Sequence, residues 1–185
     1  YVDLNQLEKA EEAFRQSLID DTRVAAARNA LGVVAMKRGD FGKAEEEIRA
    51  ALKQKPDVKL AHYNLALLAE RRGDVQTAIR EYQIEIQTQP AAFKAAFNLG
   101  RLFEQSGNAA AQEEAFRLSF QLNPSFPEGH FYLAKLLLDQ GREFDQAITL
   151  ARRGLKLGAH SPNAPLGHYV LADIFSRRGQ HAKSH

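Results

Sequence analysis

The chain repeats itself every 34 residues, and no other feature restricts its fold as strongly. Leu31, Leu65, Leu99 and Leu133 fall in one slot at that spacing. Gly39, Gly73, Gly107 and Gly141 fall in a second, and Pro56, Pro90 and Pro124 in a third. A single globular core has no reason to keep such a phase. A stack of small repeats does, because each repeat must offer its neighbour the same contacts. The period therefore predicts one array, residues 1–185, with no internal domain break, although length alone would suggest one or two ordinary domains.

Residues 59–92 show how one repeat is built. Leu60, Tyr63, Leu67 and Glu70 lie along one helical stripe, and Leu65, Ala66, Leu68 and Ala69 fill another. Apolar residues three and four apart are the helical period. Arg71-Arg72-Gly73-Asp74 ends this first helix: two cations at the negative end of the dipole, a glycine free to turn left-handed, and a cap for the next helix. Val75, Ala78, Ile79, Tyr82 and Ile86 carry the second helix, which stops before Pro90. Small residues recur where helices must cross closely. Gly32, Ala66, Gly100, Ala134 and Ala172 form that series in the first helices; Ala10, Ala44 and Ala78 form it in the second. The expected fold is all-α, made of stacked antiparallel helix pairs.

Composition removes several classes of function. Twenty-five basic and 23 acidic side chains give a net charge of +2, too balanced for nucleic-acid binding through bulk charge. The ends differ: residues 1–24 hold six acids and three bases, and residues 151–185 hold six bases and one acid. With no cysteine, thiolate catalysis, Cys-ligated zinc and disulfides are excluded. No apolar run approaches the roughly 20 residues that cross a bilayer, so no membrane insertion is expected. The chain begins at Tyr1 without Met and breaks a repeat at each end, so it reads as a fragment of a longer chain. Its compartment is open, with the cytoplasm slightly favoured and an exported or periplasmic setting the alternative.

The slots resemble those of the tetratricopeptide repeat family. Residues 25–58, 59–92 and 93–126 match it in length, and Leu65-Ala66, Gly73, Ala78, Tyr82 and Pro90 stand where the family places such residues. There are departures. His62, Arg28 and Ala96 replace the aromatic near the start of the first helix, and Gln112 replaces an alanine. Residues 127–164 form a fourth repeat with one extra residue in Arg142–Gln146 and a longer junction, Gly158–Pro165. Residues 1–24 read as the second helix of an earlier repeat, and 165–185 as the first helix of a later one. The pentatricopeptide repeat, which reads single-stranded RNA, has a longer period and a basic groove, and fits less well.

The resemblance implies a superhelical solenoid whose first helices line a concave groove. On that reading Asn29, Tyr63, Phe97, Phe131 and Tyr169 form one row facing the groove. Asn64 and Asn98 stand beside it, and Leu67, Arg101 and Lys135 lie one turn further on. Asparagine amides repeated once per repeat can pair with the backbone of an extended peptide, and aromatics beside them can take its apolar side chains. Asn64 and Lys94 also match two positions of the family's clamp for C-terminal carboxylates. Asn29, Val33 and Asn98 depart from that clamp, so chaperone tails are a poor fit.

Chemistry finds little support in the sequence. His62, His130 and His168 share one slot but lie in different repeats, which separates them too far to share a metal. No phosphate loop, HExxH run or nucleophile elbow is present. Glu45-Glu46-Glu47 reads as a solvated face of a second helix. The expectation is a non-enzymatic scaffold for a protein or peptide partner, with no cofactor, metal or nucleic acid. The alternatives are a recruiting region of a larger enzyme, or a self-assembly module in which Leu7, Phe14 and Leu18 on incomplete terminal repeats pair between chains.

Overall fold

The computed structural model describes residues 4–17 and 24–183, and its regular structure there is entirely helical. The chain forms two compact units, Tyr1–Pro90 and Ala91–His185. In the first, α1 (Leu4–Ser17) packs on α2 (Val24–Arg38), α2 pairs with α3 (Phe41–Gln54), and α4 (Ala61–Arg71) pairs with α5 (Val75–Thr88). In the second, α6 (Phe93–Gln105) pairs with α7 (Ala109–Leu122), α8 (Pro127–Asp139) pairs with α9 (Phe144–Leu157), and α10 (Ala164–Lys183) packs on α8 and α9. This is an all-α helical-repeat fold. Leu18 lies outside the described residues.

The turn inside each pair is built the same way four times. Gly39, Gly73, Gly107 and Gly141 have φ of +84°, +76°, +72° and +66°. Around each, one backbone bond spans five residues and another three: Asp74 N donates to Ala69 O, and Gly73 N to Glu70 O. These bonds satisfy carbonyls that the helix end leaves free. The next residue then caps the second helix. Asp40, Asp74 and Asn108 accept from the backbone N–H of Lys43, Thr77 and Ala111 at 3.0, 3.0 and 3.2 Å. The extra residue of the fourth repeat breaks this device. Arg142 takes the slot, Glu143 becomes the N-terminal flanking residue at φ +52°, and no side chain caps α9.

Close crossing of the paired helices depends on the small-residue slot. A Cβ on Gly32 would strike Ile48 and lie 2.9 Å from Ala44 O, and one on Gly100 would lie 2.5 Å from the Phe116 ring. Ala66 and Ala134 occupy the same slot fully buried. The large side chains that fill these crossings, Ile48, Tyr82 and Phe116, are themselves fully buried. Each contributes about 1.5–3 kcal/mol by burial.

Candidate binding surface

In the first unit the predicted groove residues form a polar seam between α2 and α4. Asn64 Nδ2 donates to Asn29 Oδ1 at 3.0 Å, and Asn29 Nδ2 donates to Lys59 O at 3.2 Å. Both amides are only 8% exposed. This bond links successive first helices, so Asn64 has a structural partner inside the protein. Tyr63 is half-buried, with its ring 5.7 Å from that of Tyr82, and Leu67 is half-buried beside Leu68 and Met36.

In the second unit two of the row's three aromatics, Phe97 and Phe131, do not face outward. Phe131 is fully buried and Phe97 is 9% exposed, which corrects their placement on a groove wall. Phe97 stands edge-on to Phe126 and Tyr132 at 5.2 and 5.0 Å. The Phe131 ring lies against Gly154 of α9 and Gly167 of α10, where a Cβ would come within 2.6 and 2.8 Å. Those two glycines let neighbouring helices close over it, and nothing in the spacing of the row reveals that. The residues of the second unit that keep solvent access are Lys94, Arg101, Lys135 and Tyr169, with Asn98 half-buried beside Phe97. Lys94 Nζ reaches over the Phe93 ring at 5.9 Å. Burial works against the charge of Lys135. Asp139 at 2.5 Å and Glu104 at 3.5 Å outweigh it, and its ammonium pKa stands above the ordinary value.

The structure also contains repeated polar contacts that the residue pattern alone did not suggest. Arg28 pairs with Glu47 at 3.0 Å, and His62 Nδ1 meets Glu81 Oε2 at 2.7 Å, each joining the two helices of one repeat. The departures at Arg28 and His62 are therefore matched by acids 19 residues on. The signal was available as Glu47 and Glu81 sharing a slot. A second pattern joins a second helix to the following first helix. Arg38 pairs with Glu11, Arg72 with Glu45 at 2.5 Å, and Arg142 with Glu113. Bonds from Arg72 and Arg49 hold the Glu45 carboxyl below its usual range, and Arg142 and Arg117 do the same for Glu113. Within the acidic run only Glu46 is exposed, and Glu45 and Glu47 are half-buried, which corrects the reading of those two as a solvated face.

Glu85, 1% exposed, does something its slot does not suggest. Its oxygens accept from the backbone N–H of Leu60 at 3.0 Å and Tyr63 at 3.2 Å. Leu60, the residue flanking the start of α4, has φ +66° and supplies no local side-chain cap, so α5 supplies the cap. Burial pushes the Glu85 carboxyl up, against the pull of these N–H groups.

The histidine slot assembles no reactive centre. His62 is engaged by Glu81, and His130 is buried with Nδ1 donating to Phe126 O at 3.0 Å. His168 is exposed. Among the described residues, no three of His, Cys, Asp and Glu converge to hold a metal, and no helix is long and apolar enough to cross a membrane. A cavity of about 270 Å³ opens among α3, α4 and α5, lined by Glu45, Arg49, Arg72, Thr77 and Arg80. None of the predicted groove residues lines it. The junction after α9 folds back on α8, where Ser161 Oγ donates to Glu128 Oε1 at 2.8 Å.

Paired helices with this turn, cap and crossing are a family signature, and the Tetratricopeptide repeat model matches residues 1–58, 30–89, 63–127 and 131–184. The chain belongs to the tetratricopeptide repeat family. Among solved structures it is similar to Pseudomonas aeruginosa pilF, with a TM-score of 0.80 and 24% identity over 99% of this chain and 83% of that one. It is also similar to MamA, with a TM-score of 0.67 and 19% identity over 86% of this chain and 96% of that one. YrrB, described as a TPR protein with an unusual peptide-binding site, has a TM-score of 0.60 and 16% identity over 87% of this chain and 82% of that one. At these identities the likeness is one of fold. No curated protein sequence matches the chain.

Proposed function

We propose that the chain is a protein-interaction scaffold, not an enzyme, and that its first helices receive an extended segment of a protein partner. One observation carries the reading. After the aromatics Phe97 and Phe131 have gone into the core, the first helices of each unit still present mixed side chains to solvent. These are Tyr63 and Leu67 on α4 in the first unit, and Arg101 on α6 and Lys135 on α8 in the second. The first unit offers apolar groups there and the second offers cations, which suits the side chains of a bound peptide and offers nothing to a reacting bond. The peptide-binding site described for YrrB, a protein of the same fold, supports this reading by analogy.

Affinity would come from burying apolar groups at Tyr63 and Leu67 and from hydrogen bonds netting about 0.5–1.5 kcal/mol each. The test begins with selection from a random peptide library displayed on phage. Asn64→Ala combined with Asn98→Ala is expected to weaken the selected peptide about tenfold or more, since each 1.4 kcal/mol is a factor of ten. Because Asn64 also bonds Asn29, Arg101→Glu is measured beside it; that partly exposed side chain leaves the amide seam untouched. Helicity should stay at the native value in both. Native affinity in both variants would overturn the reading.

A further inference from the structure

Three departures from the repeat pattern meet at the cavity among α3, α4 and α5. The same space recurs one repeat earlier, where Glu11, Arg38 and Asp40 stand 34 residues before Glu45, Arg72 and Asp74. Glu11 is buried there beside Leu7 on α1, which corrects the expectation that Leu7 lies open. The earlier space measures about 40 Å³, because the position of Thr77 holds Lys43, whose ammonium reaches to 3.4 Å from Glu11 Oε1. Thr77 is too short to do the same, and the cavity beside it measures about 270 Å³. Ala69 leaves further room, since the same position 68 residues on is the fully buried Leu137. The third departure is one of charge. Arg80 lines the cavity at a position held by Glu46 one repeat earlier and by Glu114 one repeat later.

The wall carries three arginines and three acids, and the two sets are not equally engaged. The acids are taken. Glu45 accepts from Arg49 Nε at 2.9 Å and pairs with Arg72, Glu81 meets His62, and Asp74 accepts from the Thr77 N–H. The donors are left over. Arg49 bonds through Nε alone, so both of its terminal nitrogens are available. Arg80 donates from one terminal nitrogen to Thr77 Oγ1 at 2.8 Å and forms no ion pair among the described residues. Accepting that bond leaves the Thr77 hydroxyl its own proton to donate. Two guanidinium forks and a hydroxyl on one cavity therefore ask for an anion rich in oxygens. A phosphate monoester brings three such oxygens and close to two charges. Leu65, Leu68 and Ala69 line the same cavity and give the carbon part of an ester an apolar surface.

We propose that this cavity is a phosphate-binding site, in which Arg49 of α3 and Arg80 of α5 hold the phosphate oxygens and Thr77 donates to them. Arg72 stays on Glu45 and the Phe41 carbonyl and forms part of the wall. None of Tyr63, Leu67, Arg101 and Lys135 lines the cavity, so this reading and that of a peptide on the first helices stand or fall separately.

NMR shifts of backbone amides and arginine Nε groups test this on the 185-residue chain, with ionic strength held constant by chloride. Inorganic phosphate should cause saturating shifts at Thr77, Arg49 and Arg80. Arg80→Gln leaves no acid without its partner and should weaken binding about tenfold or more. Thr77→Met fills the cavity without adding charge, at a position where Lys43 shows that a repeat accepts a long side chain, and should weaken binding as much. Both variants should keep native helicity, and Lys156→Gln on α9 should bind as the native chain does. Free phosphoserine and the tripeptide Gly-phosphoserine-Gly then separate the sources of phosphate. Tighter binding of the tripeptide marks a phosphorylated partner segment and equal binding marks a small phosphate; either supports the site. Shifts that never saturate, shifts that chloride alone reproduces, or native affinity in either Arg80→Gln or Thr77→Met would overturn the proposal.

Discussion

His130 keeps the position of its slot but not the chemistry found there in other repeats. Arg28 and His62, in the same slot of earlier repeats, reach acids on the paired helix, while the position opposite His130, with the extra residue counted, is the buried Leu150, and the ring turns back to Phe126 O. Donation from Nδ1 leaves Nε2 unprotonated, and that atom is buried with no partner. Burial is the main cause that depresses the His130 pKa, with Arg153 adding to it. A base whose pKa is lowered by folding contributes its full share of stability above its unfolded value and loses it as pH falls through the folded value. The native chain should therefore lose stability below pH 6.5 relative to a His130→Gln variant, which keeps a donor for Phe126 O and cannot charge. Denaturant midpoints of the two proteins on either side of that pH check this; parallel midpoints would show that the buried ring does not titrate. Glu85 carries the opposite sign, since its raised carboxyl favours the protonated form, and the stability tied to it declines as pH rises from 4.5.

At the level of the helix pair, local chemistry was legible and packing was not. The glycine turn, the Asp or Asn cap and the proline stop each depend on one residue and its neighbours, and all are found where the sequence puts them. The small-residue slot was legible for the same reason: a helix crossing leaves no room there whichever residue arrives. Ala66→Leu should overpack the α4–α5 crossing, where Ala66 and Tyr82 are both fully buried, and cost about 1–3 kcal/mol. A thermal melt reads this as a lowered midpoint, and an unchanged midpoint would count against the crossing. The orientation of the aromatic row was not legible because it is decided by other elements. Phe131 is covered through Gly154 and Gly167, which lie 23 and 36 positions later in the chain. Phe97 is enclosed by Phe126 and Tyr132. Likewise the cap supplied by Glu85 compensates an irregular α4 start that no propensity at Leu60 announces.

For the whole molecule, a repeat makes surfaces periodic, so function follows from which periodic row stays open. The rows that pair helices close on themselves. The amide seam Asn29–Asn64 closes too, within the first unit. What remains open includes Tyr63 and Leu67 in the first unit and Lys94, Arg101, Lys135 and Tyr169 in the second, and Tyr63, Leu67, Arg101 and Lys135 are the basis for assigning partner binding to the first helices. Amide and methyl NMR shifts on adding the phage-selected peptide to the labelled chain test this most directly. The perturbed signals are expected to cluster on Tyr63, Leu67, Arg101 and Lys135 of α4, α6 and α8. Perturbations confined to α3, α5, α7 and α9, with those four residues unmoved, would contradict the assignment.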